Sequence, residues 1–60
     1  MPWPFCVCVL DLDSFYRPVW GADTLFEACE IARREVGRCG TLVVVDQSLR
    51  VHDEVRRKRS

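Results

Sequence analysis

The hydrophobic positions along the chain follow two kinds of spacing, and the first predicts β-strands. Residues Phe5–Leu12 are apolar almost without a break, which is typical of a strand buried on both faces. Thr41–Asp46 has the same pattern and predicts another such strand. Leu49–Val55 is more polar and predicts a further strand, which follows a tight turn at Gln47 and Ser48. Leu49, Val51 and Val55 are expected on one face of this strand.

A second strand is predicted at Phe15–Trp20, after the turn residues Asp13 and Ser14. Pro18 has no backbone N–H to donate to a neighbouring strand, so this should be an edge strand. We expect it to return antiparallel to the first strand and to end at Gly21.

The second kind of spacing is helical, and it predicts one amphipathic helix at about Thr24–Arg38. Thr24 and Glu27 form a capping-box pattern at its start, and Asp23 is the other candidate cap. One apolar stripe should face the sheet; its predicted members are Leu25, Ala28, Cys29, Ala32 and Val36.

The predicted elements follow the order β-β-α-β-β, with Gly37 or Gly40 ending the helix. The pattern predicts a two-layer α+β fold in which one amphipathic helix packs on a small, largely antiparallel sheet. Residues 1–55 should form a single domain, and residues 56–60 a basic C-terminal tail. A chain of 60 residues buries a small core, so its stability should be marginal.

The predicted sheet has more apolar surface than one helix can cover. Phe5–Leu12 and Thr41–Val45 do not alternate, so both faces are apolar, while a four-turn helix covers one of them. A second copy of the chain or another protein would cover the other face. Alternatively, Trp3, Trp20 and the chain ends fold over it within the monomer.

These patterns predict a small non-enzymatic protein-interaction module of the accessory, adaptor or inhibitor type. We expect it to be homodimeric through the second sheet face or the edge strand, or to bind another protein. Phe26 and Ile31 lie at the flanks of the helical stripe by their spacing. The predicted partner-binding residues are Phe15, Tyr16, Trp20, Phe26 and Ile31.

Charge supplies an alternative function. Nine basic and nine acidic residues cancel, so the average charge favours neither nucleic acid nor a membrane surface. The basic residues are nevertheless concentrated late in the chain, and a small nucleic-acid-binding protein would use this set. Its members are Arg33, Arg34, Arg38, Arg56, Arg57, Lys58 and Arg59.

Asp11 and Asp13 end the first apolar run, and two carboxylates at this spacing can share a Mg²⁺ ion. The run from Val9 to Tyr16 resembles the first metal-binding motif of the translesion (Y-family) DNA polymerases. That resemblance implies Asp11 as a metal ligand and Tyr16 near the sugar-discriminating aromatic. It covers eight residues, and those enzymes need several hundred, so we interpret the segment as a hairpin turn capped by Asp13 and Ser14.

The four cysteines do not match a zinc-binding pattern, because Cys6 and Cys8 are one residue apart within a strand and His52 is the only histidine. A catalytic thiol would need His52 and an acid such as Asp53 beside it, which the spacing does not predict. We therefore predict no metal, cofactor or catalytic residue. The chain shows no signal peptide or membrane span, so a cytoplasmic protein with reduced thiols is expected.

Overall fold

The computed structural model describes residues 3–11 and 13–57. Four strands and one helix follow in the predicted order β-β-α-β-β, which confirms the α+β fold class. Leu12, which was predicted to end the first strand, and the tail residues Lys58 and Arg59 lie outside the described residues. The elements are β1 (Phe5–Leu10), β2 (Tyr16–Ala22), α1 (Leu25–Cys39), β3 (Thr41–Asp46) and β4 (Val51–Arg56).

The four strands form one open sheet in the order β2-β1-β3-β4, and each neighbouring pair is antiparallel. The two apolar strands are therefore the central ones, and the edges are the polar strand β4 and strand β2, which contains Pro18. The helix links β2 to β3, which lie on opposite sides of β1. It thus has to cross β1 and cover one face of the sheet.

Local chemistry sets the ends of α1. The Thr24 hydroxyl accepts a hydrogen bond from the Glu27 amide at 3.1 Å, which confirms Thr24 as the N-cap. Gly40 ends the helix at φ 91°, and its N–H bonds the Val36 carbonyl at 2.9 Å. Gly37 lies within the last turns, so of the two predicted stop residues Gly40 is the right one.

The edge strand β2 contains Pro18, as predicted, and its pairing with β1 shifts register between Val7 and Cys8. The prediction that Gly21 ends the strand is wrong, because pairing continues from Gly21 to Ala22. Glycine is retained there because a Cβ would collide with the Trp3 ring, which lies directly over it.

A second bulge corrects the predicted face of β4. Val45 pairs with Val51, whereas Leu42 pairs with Val55, and the register shifts between Val44 and Val45. Val51 and Val55 therefore face opposite sides of the sheet, although they were predicted to share one. The single inserted residue reverses the alternation.

The core between helix and sheet is built from small and β-branched residues. Ile31 is 9% exposed and packs in this core, so its predicted place at the flank of the stripe is wrong. Leu25, predicted to lie in the stripe, is 38% exposed. Ala28, Cys29, Ala32 and Val36 pack in this core as predicted, so the buried arc is the predicted stripe rotated toward Ile31. The fully or nearly buried residues of the core between helix and sheet are Val7, Ala22, Ala28, Ile31, Ala32, Leu42 and Val44.

Candidate interaction surfaces

The sheet face away from the helix, called here the open face, has its own apolar cluster. Its centre consists of Cys6, Cys8, Val43 and Val45, with Leu10 partly buried against them. The smallest dimension of the Cα trace is 15 Å, which is the thickness of one helix layer on one sheet layer. Within the described chain, no second layer of secondary structure covers this face.

Larger side chains border the open face and shield its small central residues. The Trp3 ring lies over Gly21, which pairs with Cys6 on this side of the sheet. Tyr16 pairs with Leu10 and Val51 with Val45, so both also face this side. The interpretation that the chain covers its own second face is thus correct for Trp3. The border itself remains wet, because Trp3, Tyr16 and Val51 are 46%, 46% and 44% exposed.

Both edges of the sheet have features that oppose pairing with another strand. On β2, Pro18 removes an amide donor and a bulge breaks the regular ladder. On β4, a bulge interrupts the pairing, and charged residues such as Asp53 and Glu54 follow it. The apolar centre of the open face is shielded by the side chains at its border, since Cys6, Cys8, Val43 and Val45 are buried.

The predicted partner-binding residues separate into two groups. Phe15, Tyr16 and Phe26 are exposed, at 71%, 46% and 74%. Trp20 pairs with Val7 and packs against the helix-side core, and Ile31 is buried in that core. Ile31 is therefore not available to a partner, whereas Trp20 is only partly buried.

The late basic residues are brought to one corner of the molecule. The Arg57 amide donates to the Gly40 carbonyl at 3.1 Å, and its guanidinium donates to the Gly37 carbonyl at 3.5 Å. The end of β4 therefore lies against the last turn of α1, next to Arg38. We call this surface the basic corner; its described members are Arg33, Arg34, Arg38, Arg56 and Arg57.

The segment containing Asp11 and Asp13 is a β-hairpin turn, as predicted. The Ser14 amide donates to the Asp11 carbonyl and the Asp11 amide to the Phe15 carbonyl, both at 2.9 Å. Main-chain bonds thus close a turn that was predicted to rely on Asp13 and Ser14 side chains. The Asp11 carboxylate accepts from the Arg17 guanidinium at 3.1 Å, and Asp13 is exposed.

Asp46 organises the other hairpin turn, a role that the sequence pattern did not reveal. Its Oδ1 accepts from the Ser48 amide at 2.8 Å and the Arg50 amide at 3.0 Å. Its Oδ2 lies 2.8 Å from His52 Nε2, and the His52 ring packs edge-on against Phe5. The His52 bond, followed by the Arg50 amide, holds the pKa of Asp46 below its usual value.

The thiols of Cys8 and Cys29 lack the environment of a nucleophile. Burial raises the pKa of Cys29, and the Asp53 carboxylate raises it further by accepting a hydrogen bond and by its charge. Burial, with Cys6 alongside, also raises the pKa of Cys8. A catalytic cysteine needs the opposite shift. His52 is paired with Asp46.

Three further observations concern the described residues. They enclose no pocket, and no three His, Cys, Asp or Glu side chains among them are grouped to hold a metal ion. No helix in this part of the chain is long and apolar enough to cross a membrane.

Comparison with protein-family models, curated proteins and solved structures finds no match to this chain.

Proposed function

We propose that this chain is a small protein-interaction module that acts as a homodimer, joined through the open face. The observation that carries the proposal is the apolar cluster of Cys6, Cys8, Val43 and Val45 on a sheet face without a second layer. Apolar sheet faces are usually stabilised by a second layer about 10 Å away. The proposal includes a cytoplasmic location, where the thiols would stay reduced.

A second copy of the chain is the favoured partner because the open face has no net charge that would repel the same face of another copy. In a two-fold dimer the same patch meets itself, so any net charge on it would be repelled. The charged strand residues on this side are Glu54 and Arg56. The Arg56 guanidinium donates a hydrogen bond to the Glu54 carboxylate at 2.5 Å, so their charges cancel. The whole chain also has no net charge, so two copies approach without long-range repulsion.

The size of the face indicates a weak dimer. Four strands of about six residues span roughly 19 by 20 Å, from strand spacing and rise. That is about 380 Å² in projection, less than half of the roughly 800 Å² per partner that a standard specific interface buries. Because the centre is already shielded, much of the gain would come from Trp3, Tyr16 and Val51 at the border. We expect a dissociation constant in the micromolar range.

The test is the molar mass of the purified full chain across a range of concentrations, measured by sedimentation velocity. At high concentration we expect twice the chain mass of 7.0 kDa, and Tyr16→Glu should return the protein to one chain mass. Tyr16 and Phe26 are both exposed aromatics, but Phe26 lies on the helix layer. Phe26→Glu is therefore the matched control and should remain dimeric.

A mass of 7.0 kDa at every concentration would exclude the homodimer. Dimers that survive Tyr16→Glu and also Val51→Glu, while dissociating in Phe26→Glu, would transfer the interface to the helix layer. Far-ultraviolet circular dichroism of each variant verifies that the fold is retained, so that loss of dimer is not loss of structure.

A further inference from the structure

The charges of this chain are separated in space, although they sum to zero. The basic corner, with Lys58 and Arg59 that follow it in sequence, has seven of the nine basic residues. Glu35 and Glu54 are paired with arginines of this group, so the net charge is +5 on the group with these two acids and −5 on the rest of the chain. Asp11 and Asp13 follow β1, which is two places away from β4 in the sheet, and Asp11 is paired with Arg17.

The structure combines two basic segments that are about twenty residues apart in sequence. Arg34 and Arg38 lie one turn apart on α1, and Arg57 is anchored to the intervening Gly37 by its 3.5 Å hydrogen bond. Stabilisation of the helix end does not account for this density of charge. The negative end of a helix dipole is equivalent to about half an elementary charge, and one or two arginines satisfy it.

The guanidinium groups of the corner are accessible and weakly held. The side chains of Arg34 and Arg38 are 68% and 82% exposed, whereas Arg56, also exposed, is on the open face with Glu54. Arg34 and Arg38 share one acceptor, the Glu35 carboxylate, at 3.4 and 3.5 Å. Exposed ion pairs of this kind contribute about 0–1 kcal/mol, so a competing anion can replace Glu35 at little cost.

From this arrangement we propose that the basic corner binds the phosphate backbone of nucleic acid, without reading its sequence. Arginine has a planar fork of N–H donors that matches phosphate oxygens, and every described member of the corner is arginine. A single phosphate would engage one or two of these forks, whereas a polymer engages several at the spacing that the helix turn and β4 provide. The acidic remainder of the chain would keep the other surfaces off the polymer.

The binding should have the salt dependence of a few phosphate contacts. With three or four arginines engaged, the logarithm of the association constant should fall against the logarithm of salt concentration with a slope of about −3 to −4 on duplex DNA. Removing two of the arginines should reduce that slope by about two.

The experiment measures fluorescence anisotropy of labelled 20-nucleotide single strands and duplexes, titrated with the full chain at 20–200 mM salt. The variant Arg38→Ala/Arg57→Ala should bind at least about tenfold more weakly at 50 mM salt. The control Arg17→Ala/Arg50→Ala changes net charge equally but lies outside the corner, and it should bind like the original. Arg38→Lys/Arg57→Lys keeps the charge and should retain most of the affinity.

No binding of either oligonucleotide at 20 mM salt would overturn the proposal, as would equal losses in the corner variant and its control. Binding to vesicles containing anionic lipid, with none to the oligonucleotides, would replace it by a lipid-surface site. Neither Arg38 nor Arg57 is paired on the open face, so loss of nucleic-acid binding and loss of the dimer are separable outcomes.

Discussion

Two non-glycine residues among those described have positive φ angles, Ser14 at 65° and Leu49 at 64°. They occupy the same position in the two hairpins. In each, the amide of this residue donates to the carbonyl of an aspartate three residues earlier, Asp11 or Asp46. Both turns therefore have the geometry of a three-residue hairpin loop, in which glycine is the favoured residue at the left-handed position.

Replacing Leu49 by glycine should stabilise the protein. A left-handed conformation costs a residue with a Cβ about 1–2 kcal/mol, and the Leu49 side chain is 69% exposed, so its removal costs little packing. Glycine also makes the unfolded chain more flexible, which offsets part of this gain in stability. We expect a net gain of about 0.5–1 kcal/mol in the free energy of unfolding, measured by urea denaturation.

The matched control is Val51→Gly, two residues later in β4 and also exposed on its border. There the backbone is extended, and glycine should destabilise the strand. Equal effects at both positions would show that the conformation of Leu49 is not strained.

Asp46 predicts a dependence of stability on pH. Its pKa is lowered in the folded state, chiefly by His52 and then by the Arg50 amide. The carboxylate therefore contributes stability that is present above its unfolded pKa and lost as pH falls through the lower folded pKa. The free energy of unfolding should decrease as the pH is lowered from about 5 to about 2. Urea denaturation at each pH measures this decrease.

Asp46→Asn isolates this contribution, because an amide oxygen can still accept from the turn amides while the charge is gone. The free energy of unfolding of Asp46→Asn should decrease less than that of the unmodified chain as the pH is lowered. Asp13→Asn, in the exposed part of the other turn, is the control and should follow the original curve. Identical curves for Asp46→Asn and the original would refute the assignment.

At the scale of the elements, the end of α1 contains two glycines in open space that differ in conformation. A Cβ at either Gly37 or Gly40 would meet no atom within 4 Å, but only Gly40 has a positive φ, at 91°. Gly37 thus weakens the helix without a steric reason in the monomer, whereas Gly40 is required by the backbone.

Gly37→Ala should raise the free energy of unfolding by about 0.5–1 kcal/mol, because alanine loses less backbone entropy in a helix. Gly40→Ala should lower it by about 1 kcal/mol or more, since alanine resists that φ. Thermal and urea unfolding of the two variants measure both effects. The diagnostic result is a change in the free energy of unfolding that is positive for Gly37→Ala and negative for Gly40→Ala. A lower free energy of unfolding in Gly37→Ala would contradict the prediction.

The same scale explains where strand prediction failed. Composition predicted that β1 and β3 are apolar on both faces, and Pro18 predicted that β2 is an edge strand. It did not reveal the bulges at Val7/Cys8 and Val44/Val45. A bulge is decided by how two strands meet, so the periodicity of one strand cannot report it.

For the whole molecule, the proposed dimer predicts that thermal stability depends on protein concentration. Association stabilises the folded chain and not the unfolded one, so the melting temperature should rise with concentration. Over a hundredfold range that spans a micromolar dissociation constant, we expect a rise of at least about 4 °C. Differential scanning calorimetry measures it.

Tyr16→Glu should abolish that rise, and Phe26→Glu should keep it. A melting temperature that is constant for the original chain would speak against association at the open face, as the sedimentation experiment would.

The interaction surfaces were only partly predictable. The presence of a second apolar face follows from Phe5–Leu10 and Thr41–Val45, because strand side chains alternate whatever the fold around them. Which bulky residues were available did not follow. Ile31 was predicted to meet a partner but is buried in the helix-side core, Trp20 is partly buried against that core, and the Trp3 ring lies over Gly21.

By itself the sequence determined the order of the elements, the N-cap at Thr24, the edge position of β2 and the presence of two apolar sheet faces. Each of these depends on near neighbours in the chain: side-chain period, a capping hydroxyl or a missing amide. Only the tertiary structure decided the rotation of α1, the two bulges and the meeting of Arg57 with Gly37. These depend on contacts between distant segments, where the best packing of the whole molecule outweighs local preference.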